Sequence, residues 1–468
     1  MSAPFSFAQA VDWMGGQSIT ETTQATFQGV AIDTRTVKRG ELFVAIRGEK
    51  YDAHTFLEQA VSAGATGLVI DQAFLASQRP PSHIATIAVK DTTAALGALA
   101  AGHRSEFAGT VIAITGSNGK TTTKEMCHAI MSVQGPCLKT QGNLNNEFGL
   151  PLTLLARKTN DQAAVVELGM NHRGEIARLT AIAQPDIGIL TNVGTAHIGH
   201  LGNQENIALE KGDLIAGLGE TGIAVLNADD HRVDAQAERA VGRVVRFGLS
   251  PKADVRAENV VFDGIDTFHF TLRTPIGTVE VGIAGLAETT PINALAASAG
   301  AFAAGANLDQ LAEGLSRFEA VPGRMVCQTL TSGARVIDDT YNANPQSIRA
   351  ALESLARLKG GGRTFAILGD MGELGEQEHV AHQSVGRMAA EFEIDRLFAL
   401  GSNAEAVLAG AREAGLTEEQ CHVGVDHEEI AEVLTREVES QDWILVKGSR
   451  AMRMERVIES LMAREETH

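Results

Sequence analysis

The run Thr115-Gly116-Ser117-Asn118-Gly119-Lys120-Thr121-Thr122 carries the residue types that hold a triphosphate. Backbone N–H groups of a glycine-rich turn, together with the positive end of the helix that follows, face phosphate oxygens. Lys120 is placed to reach the outer phosphoryl group, and the Thr121 hydroxyl to ligate Mg²⁺. The spacing departs from the usual phosphate loop, whose first glycine would fall at Ile114; here Gly116 stands only three residues before Gly119. The chemistry expected is use of ATP or GTP.

Other candidates stand where apolar strands run out. Glu167 closes Ala164-Val165-Val166, the position of an acidic Mg²⁺ ligand in nucleotide enzymes. His197 follows the strand Ile187 to Val193; on composition alone it is an ordinary loop histidine, and its place at a second strand end makes it a site candidate. Lys211, within Glu210-Lys211-Gly212-Asp213, is on spacing alone a solvated helix lysine. Asp338 to Pro345 is a polar cluster suited either to capping a helix or to holding a ribose or base. Lys447-Gly448-Ser449-Arg450 sets two cations beside a small turn, which suits a carboxylate or phosphate. Near the N-terminus, Arg35, Arg47 and His54 are scarce cations that could meet a diphosphate.

Positioning these groups requires alternating strands and helices. Strands are predicted at Val30 to Ile32, Leu42 to Ala45, Gly67 to Ile70 and Ile87 to Val89, with a helix from Thr55 to Ala63. A second series follows at Val111 to Thr115, Ala164 to Leu168, Ile187 to Val193 and Ile223 to Leu226, after a helix from Thr92. Beyond a junction at Ala320 to Arg324, a third series is predicted at Val336 to Ile337, Phe365 to Leu368, Leu397 to Leu400 and Ile444 to Val446, with helices from Gln346, Glu376, Ala404 and Ala451. Continuous apolar strands alternating with helices imply parallel sheets covered on both faces. The expected fold is α/β in three domains: a small α/β domain over 1–85, a central phosphate-loop parallel-sheet domain over 86–318, and a Rossmann-like doubly wound domain over 319–468. Ligands of such sheets sit at the carboxyl ends of the strands, so the last two units should face each other across a cleft.

At 468 residues the chain suits about three cores. Its 58 acidic residues against 39 basic ones disfavour nucleic acid and anionic membranes as partners. No segment approaches the roughly 20 apolar residues of a membrane span. The four cysteines lack metal-ligand spacing, and residues 1–10 lack the pattern of a secretory signal, so the expected location is a reducing cytoplasm.

Together the motifs resemble the Mur ligase family, which makes amide bonds with ATP. The similarity spans nearly the whole chain and rests on Thr115 to Thr122, Asn143-Leu144-Asn145-Asn146 with Gly149 and Pro151, Asn192 to His197, Asn227-Ala228-Asp229-Asp230, Asp339 to Pro345, Leu368 to Gly375 and Val446 to Arg450. The last three segments single out the branch that adds a dipeptide. The resemblance implies ATP and Mg²⁺ as cofactors, UDP-N-acetylmuramoyl-tripeptide and D-alanyl-D-alanine as substrates, and a monomer.

It also implies roles. Thr34, Arg35, Arg47 and His54 match positions that hold the uridine-diphosphate sugar, and Thr140, Asn143, Asn145 and Asn146 approach its muramyl part. Gly116, Ser117, Asn118, Gly119, Lys120, Thr121 and Thr122 hold ATP, with Asn293 near adenine and Arg324, Asp339 and Asn342 closing from the last domain. Thr121, Glu167 and His197 serve two Mg²⁺ sites, Lys211 falls where the family carries a carbamylated lysine, and Lys447, Ser449 and Arg450 lie near the dipeptide. Lys120, Lys211 and His197 are the expected catalytic groups.

Two positions depart from the family. Thr289-Thr290 replaces a His-Asn pair, and Ala53 replaces a glycine. The alternative is a ligase adding a single amino acid, either a Mur or a folylpolyglutamate type, although Asn344-Pro345 is followed by Gln346 rather than by the arginine of a diaminopimelate signature. A phosphate-loop kinase or GTPase is more distant, since no guanine signature Asn-Lys-x-Asp occurs. A muramyl-nucleotide sensor would have little need of Lys120, Thr121 and Glu167 together.

Overall fold

The computed structural model describes residues 2–20, 24–48 and 50–465. Three main sheets follow one another along the chain. The first has the strand order Gln17–Ser18, Ala85–Val89, Gly67–Asp71, Leu42–Val44, Val30–Ala31, parallel except at its first pair. Strand Ala85–Val89 is buried throughout and pairs with Gly67–Asp71, so the first sheet extends past the boundary expected at residue 85. The expected division cut this strand because the proline-containing stretch before it reads as a linker. Helix Thr92–Ser105 then leads to the central unit, its N-terminus capped by Asp91, which accepts from the Thr93 and Ala94 N–H groups.

The central sheet has nine strands. Cys137–Lys139, Ala163–Glu167, Thr110–Thr115, Ile187–Leu190, Ile223–Asn227, Arg243–Gly248 and Val255–Phe262 lie side by side in parallel. Thr267–Thr274 and Gly277–Ala284 extend it antiparallel. This extension was not foreseen: its strands bury only alternate residues, such as Phe268, Phe270 and Leu272, and lack the continuous apolar runs of the parallel strands. In strand Thr110–Thr115 both faces are covered. Val111 and Ala113 enter one core with Leu96 and Leu99, while Ile112 and Ile114 enter another with Met126 and Ile130.

The last sheet has the order Val326–Thr329, Arg335–Asp339, Trp443–Lys447, Thr364–Gly369, Arg396–Leu400, Cys421–Val423, parallel except at its first pair. Its helices include Pro345–Leu358, with proline in the first turn and Asn344 as cap, and Glu378–Glu391. The helix expected from Glu376 opens as a 3₁₀ turn, Gly375–Gln377. That from Ala451 opens as Arg450–Met452 and continues as Glu455–Glu465. Helix His427–Glu437 was not foreseen.

Candidate functional site

The carboxyl ends of the central and last sheets converge on one cavity of about 1080 Å³. Its central-unit wall holds Ser117 to Thr122, Asn143, Asn145, Asn146, Glu167 and His197, and its last-unit wall Arg324, Tyr341, Asn342, Glu373, Ser449 and Arg450. The cleft expected between the two units is therefore present.

The phosphate loop turns tightly after Thr115. Gly116 has φ +154°, and a Cβ there would stand 1.9 Å from Thr191 Oγ1, so only glycine fits. Thr191 donates its hydroxyl to the Asn118 carbonyl, Asn118 N–H donates to Asn192 Oδ1, and Asn192 Nδ2 returns a bond to the Asn118 carbonyl. The strand expected to run to Val193 stops at Leu190 because these next residues clamp the loop. Gly119, at φ +78°, opens helix Lys120–Gln134, and Asn293 Oδ1 lies 2.3 Å from where its Cβ would be. Asn293 is thus buried behind the loop rather than on the cavity wall.

Lys120 Nζ donates to the Gly116 carbonyl at 2.8 Å and, among the described residues, meets no carboxylate in an ion pair. It faces the cavity from deep in the protein, and burial pushes its pKa down, as does Arg324. Lys211 is not a solvated helix lysine. It is 1% exposed and donates to the same Gly116 carbonyl at 3.0 Å; burial, then Lys120, depress its pKa well below the ordinary range.

Glu167 is buried, and both of its oxygens are engaged. Oε2 accepts from Thr121 Oγ1 at 2.9 Å, and Oε1 from Asn145 Nδ2 at 2.8 Å. Thr140 is wholly buried and off the cavity wall; its hydroxyl accepts from the Glu167 N–H and its carbonyl from Lys124 Nζ, so it fixes the strand end. His197 has φ +65°, and its Nδ1 lies 2.6 Å from Glu373 Oε2 of the last unit. Burial lowers the His197 pKa, against the pull of Glu373.

On the opposite wall, Lys447 is buried and donates to Asp339 Oδ2 at 2.6 Å and to the Asn342 carbonyl. This pair lies behind the wall, and Ser449, Arg450 and Asn342 stand on it. Burial raises the Asp339 pKa and lowers that of Lys447, each opposed by the other's charge. Arg324 lies 4.1 Å above the Tyr341 ring, and its buried Nε has no hydrogen-bond partner. Direct bonds between the units include Asn344 Nδ2 to Asn118 Oδ1 at 2.8 Å and Thr195 N–H to Gln346 Oε1 at 3.1 Å.

The four N-terminal candidates are not brought to this cavity. Arg35 is exposed and paired with Asp33. Arg47 bridges Asp71 and Asp52, while His54 is buried between the same two carboxylates and accepts the Asp71 N–H at Nε2. Thr34 lies beside Arg35 on the same turn. Conversely, Glu373, Tyr341 and Asn344 enter the site without having been singled out. Their segments carried a signal, a polar cluster after a strand and a glycine-punctuated loop, but nothing local distinguishes the one side chain that reaches across.

Comparison with known proteins agrees with this geometry. Family models match residues 26–104 (Mur ligase family, catalytic domain), 114–301 (Mur ligase middle domain) and 323–450 (Mur ligase, glutamate ligase domain). The UDP-N-acetylmuramoyl-tripeptide–D-alanyl-D-alanine ligase of Escherichia coli K12 is 37% identical over 463 residues, 97% of each chain. The crystal structure of MurF from Acinetobacter baumannii superposes with a TM-score of 0.90 at 33% identity, covering 99% of each chain. MurF from Thermotoga maritima, solved in complex with ADP, gives 0.82 at 29% identity, covering 94% of this chain and 98% of that one. With its loop, its facing sheets and its full length all shared with these proteins, the chain belongs to the Mur ligase family.

Proposed function

We propose that the chain is an ATP-dependent ligase joining D-alanyl-D-alanine to the terminal carboxylate of UDP-N-acetylmuramoyl-tripeptide, in the cytoplasm. One observation carries the reading: a phosphate loop with an unpaired lysine forms one wall of a cavity whose other wall, from the last unit, presents Asn342, Ser449 and Arg450. The full-length similarity to the E. coli ligase supplies the substrates. Among the described residues no helix is long and apolar enough to cross a membrane.

A carboxylate is a poor electrophile toward an amine. In the proposed reaction a peptide carboxylate oxygen attacks the γ-phosphorus of ATP, the β–γ bridging bond breaks, and acyl phosphate and ADP form. The dipeptide amine then attacks the acyl carbon, the carbon–oxygen bond to phosphate breaks, and the amine proton leaves to solvent. The N–H groups of Ser117 to Thr122 face the phosphates, Lys120 meets the charge that grows on the transferring oxygens, and Arg450 with Ser449 orients the dipeptide carboxylate. The docked last unit keeps water from the acyl phosphate.

Among the described residues no cluster of three or more metal-ligating side chains is preformed. Mg²⁺ bound with phosphate oxygens and water needs only one or two protein carboxylates, and the buried Glu167 beside the Thr121 hydroxyl is an oxygen set of that kind. Thr121, Glu167 and His197 would hold Mg²⁺ at two sites, and bound Mg²⁺ would neutralise phosphate charge. Burial, then the charge of Lys120, lowers the Lys211 pKa and so favours the neutral amine that carbamylation by CO₂ requires.

The test is phosphate release with ATP, Mg²⁺ and the muramyl-tripeptide nucleotide, with D-alanyl-D-alanine, single amino acids or no acceptor, followed by mass spectrometry. Dipeptide-dependent release with a product heavier by the dipeptide supports the reading. Release driven by a single amino acid overturns it.

A further inference from the structure

The loop between Gly369 and Glu378 is pinned at several points. Asp370 accepts from Ser402 N–H, Ser402 Oγ and Asn403 N–H. Buried His382 accepts the Met371 N–H at Nε2 and contacts the Glu378 carbonyl through Nδ1, which fixes its tautomer. From this frame Glu373 projects with φ +62°, a conformation costly to a non-glycine residue unless its surroundings hold it. His197, across the cleft, has φ +65°. The two strained residues meet side chain to side chain, Nδ1 to Oε2 at 2.6 Å, within ion-pair range although the buried Nδ1 forms no hydrogen bond.

Their backbones also dock. Gly199 N–H donates to the Glu373 carbonyl at 3.2 Å, and a Cβ on Gly199 would stand 2.8 Å from that oxygen and 2.9 Å from Gly375 N. The close approach therefore needs glycine at 199, on the segment that carries His197.

We infer that Glu373 is a positioning residue for His197: its carboxylate stands 2.6 Å from the otherwise unpartnered Nδ1, takes the Nδ1 proton once the ring turns to bind metal, leaves Nε2 free as the ligand, and so completes the metal site only when the last unit is docked. This rests on the reading of His197 as a metal ligand. A histidine that binds metal through one ring nitrogen commonly gives its other N–H to a carboxylate, and loss of that partner weakens metal binding about 10–100-fold. Here the carboxylate comes from a different unit, 176 positions along the chain from the histidine. Metal affinity and docking are thereby coupled, and by linkage each strengthens the other.

The test uses the full chain with a non-hydrolysable ATP analogue and Mn²⁺. Free Mn²⁺ is counted by electron paramagnetic resonance, and ligation by histidine is read from the nuclear modulation of ¹⁵N-histidine-labelled protein. Wild type should show imidazole coupling that H197A abolishes. E373A should weaken that Mn²⁺ about 10–100-fold, and G199A, which obstructs docking without touching the carboxylate, should do the same. E373Q, which can still accept the Nδ1 proton, should stay within a few-fold of wild type and keep the coupling. Wild-type affinity and coupling in E373A, with coupling lost in H197A, overturns the proposal and leaves the metal reading standing. E373Q as weak as E373A also overturns it, because Glu373 would then ligate the metal directly. Wild-type coupling in H197A removes the metal reading itself.

Discussion

Lys120→Ala separates activity from stability. Among the described residues Nζ is bonded only to backbone carbonyls, Gly116 at 2.8 Å and Ser117 at 3.5 Å, so its charge is held in no ion pair and is available to a phosphate. Two unit charges about 4 Å apart at an effective dielectric of about 20 attract by about 4 kcal/mol, or about three decades in rate if the whole interaction develops in the transition state. Loss of one preorganised donor to developing charge typically costs about 10²–10³ in kcat. Turnover in Lys120→Ala should therefore fall by roughly 10² or more. Stability should not fall with it: burial already disfavours the charged lysine, as its lowered pKa records, so removing the charge relieves a cost of the nucleotide-free protein. The assay is phosphate release at saturating substrates beside a thermal melt without ligand. Turnover within threefold of wild type refutes the role; a large drop in melting temperature with lost turnover would mean that Lys120 holds the loop together instead.

Asn145→Ala removes one of the two bonds that hold Glu167, and should raise the Mg²⁺ concentration needed for half-maximal turnover by about 10-fold, read from a magnesium titration. Asn344→Ala loses both the helix cap and the bond to Asn118; it should cost about 0.5–2 kcal/mol in denaturant unfolding of the last unit and raise the KM for ATP. His103 is buried, contacts the Ala3 carbonyl through Nε2, and has its pKa lowered mainly by burial, with Arg157 adding to it. Its folded pKa lies below the ordinary value of about 6.5, so the unfolded chain takes up the proton first and stability falls as pH drops through about 6.5. His103→Gln should flatten the decline in melting temperature between about pH 7.5 and 5.5; an unchanged slope assigns the decline to other groups.

The chemistry of the phosphate loop was legible from the sequence because it is local. A strand, two glycines and a lysine within nine residues determine where the N–H groups and Nζ must point, and Glu167 follows from the rule that parallel strands present their carboxyl ends together. The α/β alternation was legible for the same reason, since fully buried strands are continuous apolar runs. The antiparallel extension Thr267–Ala284, half-buried and alternating, escaped it.

What the tertiary structure decided are relations between distant positions. Lys211 reads as a surface lysine in its own helix, and only the packing of that helix behind the loop buries it and aims Nζ at the Gly116 carbonyl, 95 positions away. Thr140 lies off the cavity wall and anchors the Glu167 backbone, while Asn145 stands on that wall and also holds the Glu167 carboxylate. Arg47 and His54 are held in a carboxylate network of the first unit, away from the cavity. The contact between Glu373 and His197 has no trace in either segment, because it exists only where two separately folded sheets bring their strand ends face to face. Short-range spacing fixes what a segment can bind; which charges share a low-dielectric space is set by how whole units pack, and that sum over the fold is not written in any one stretch of the chain.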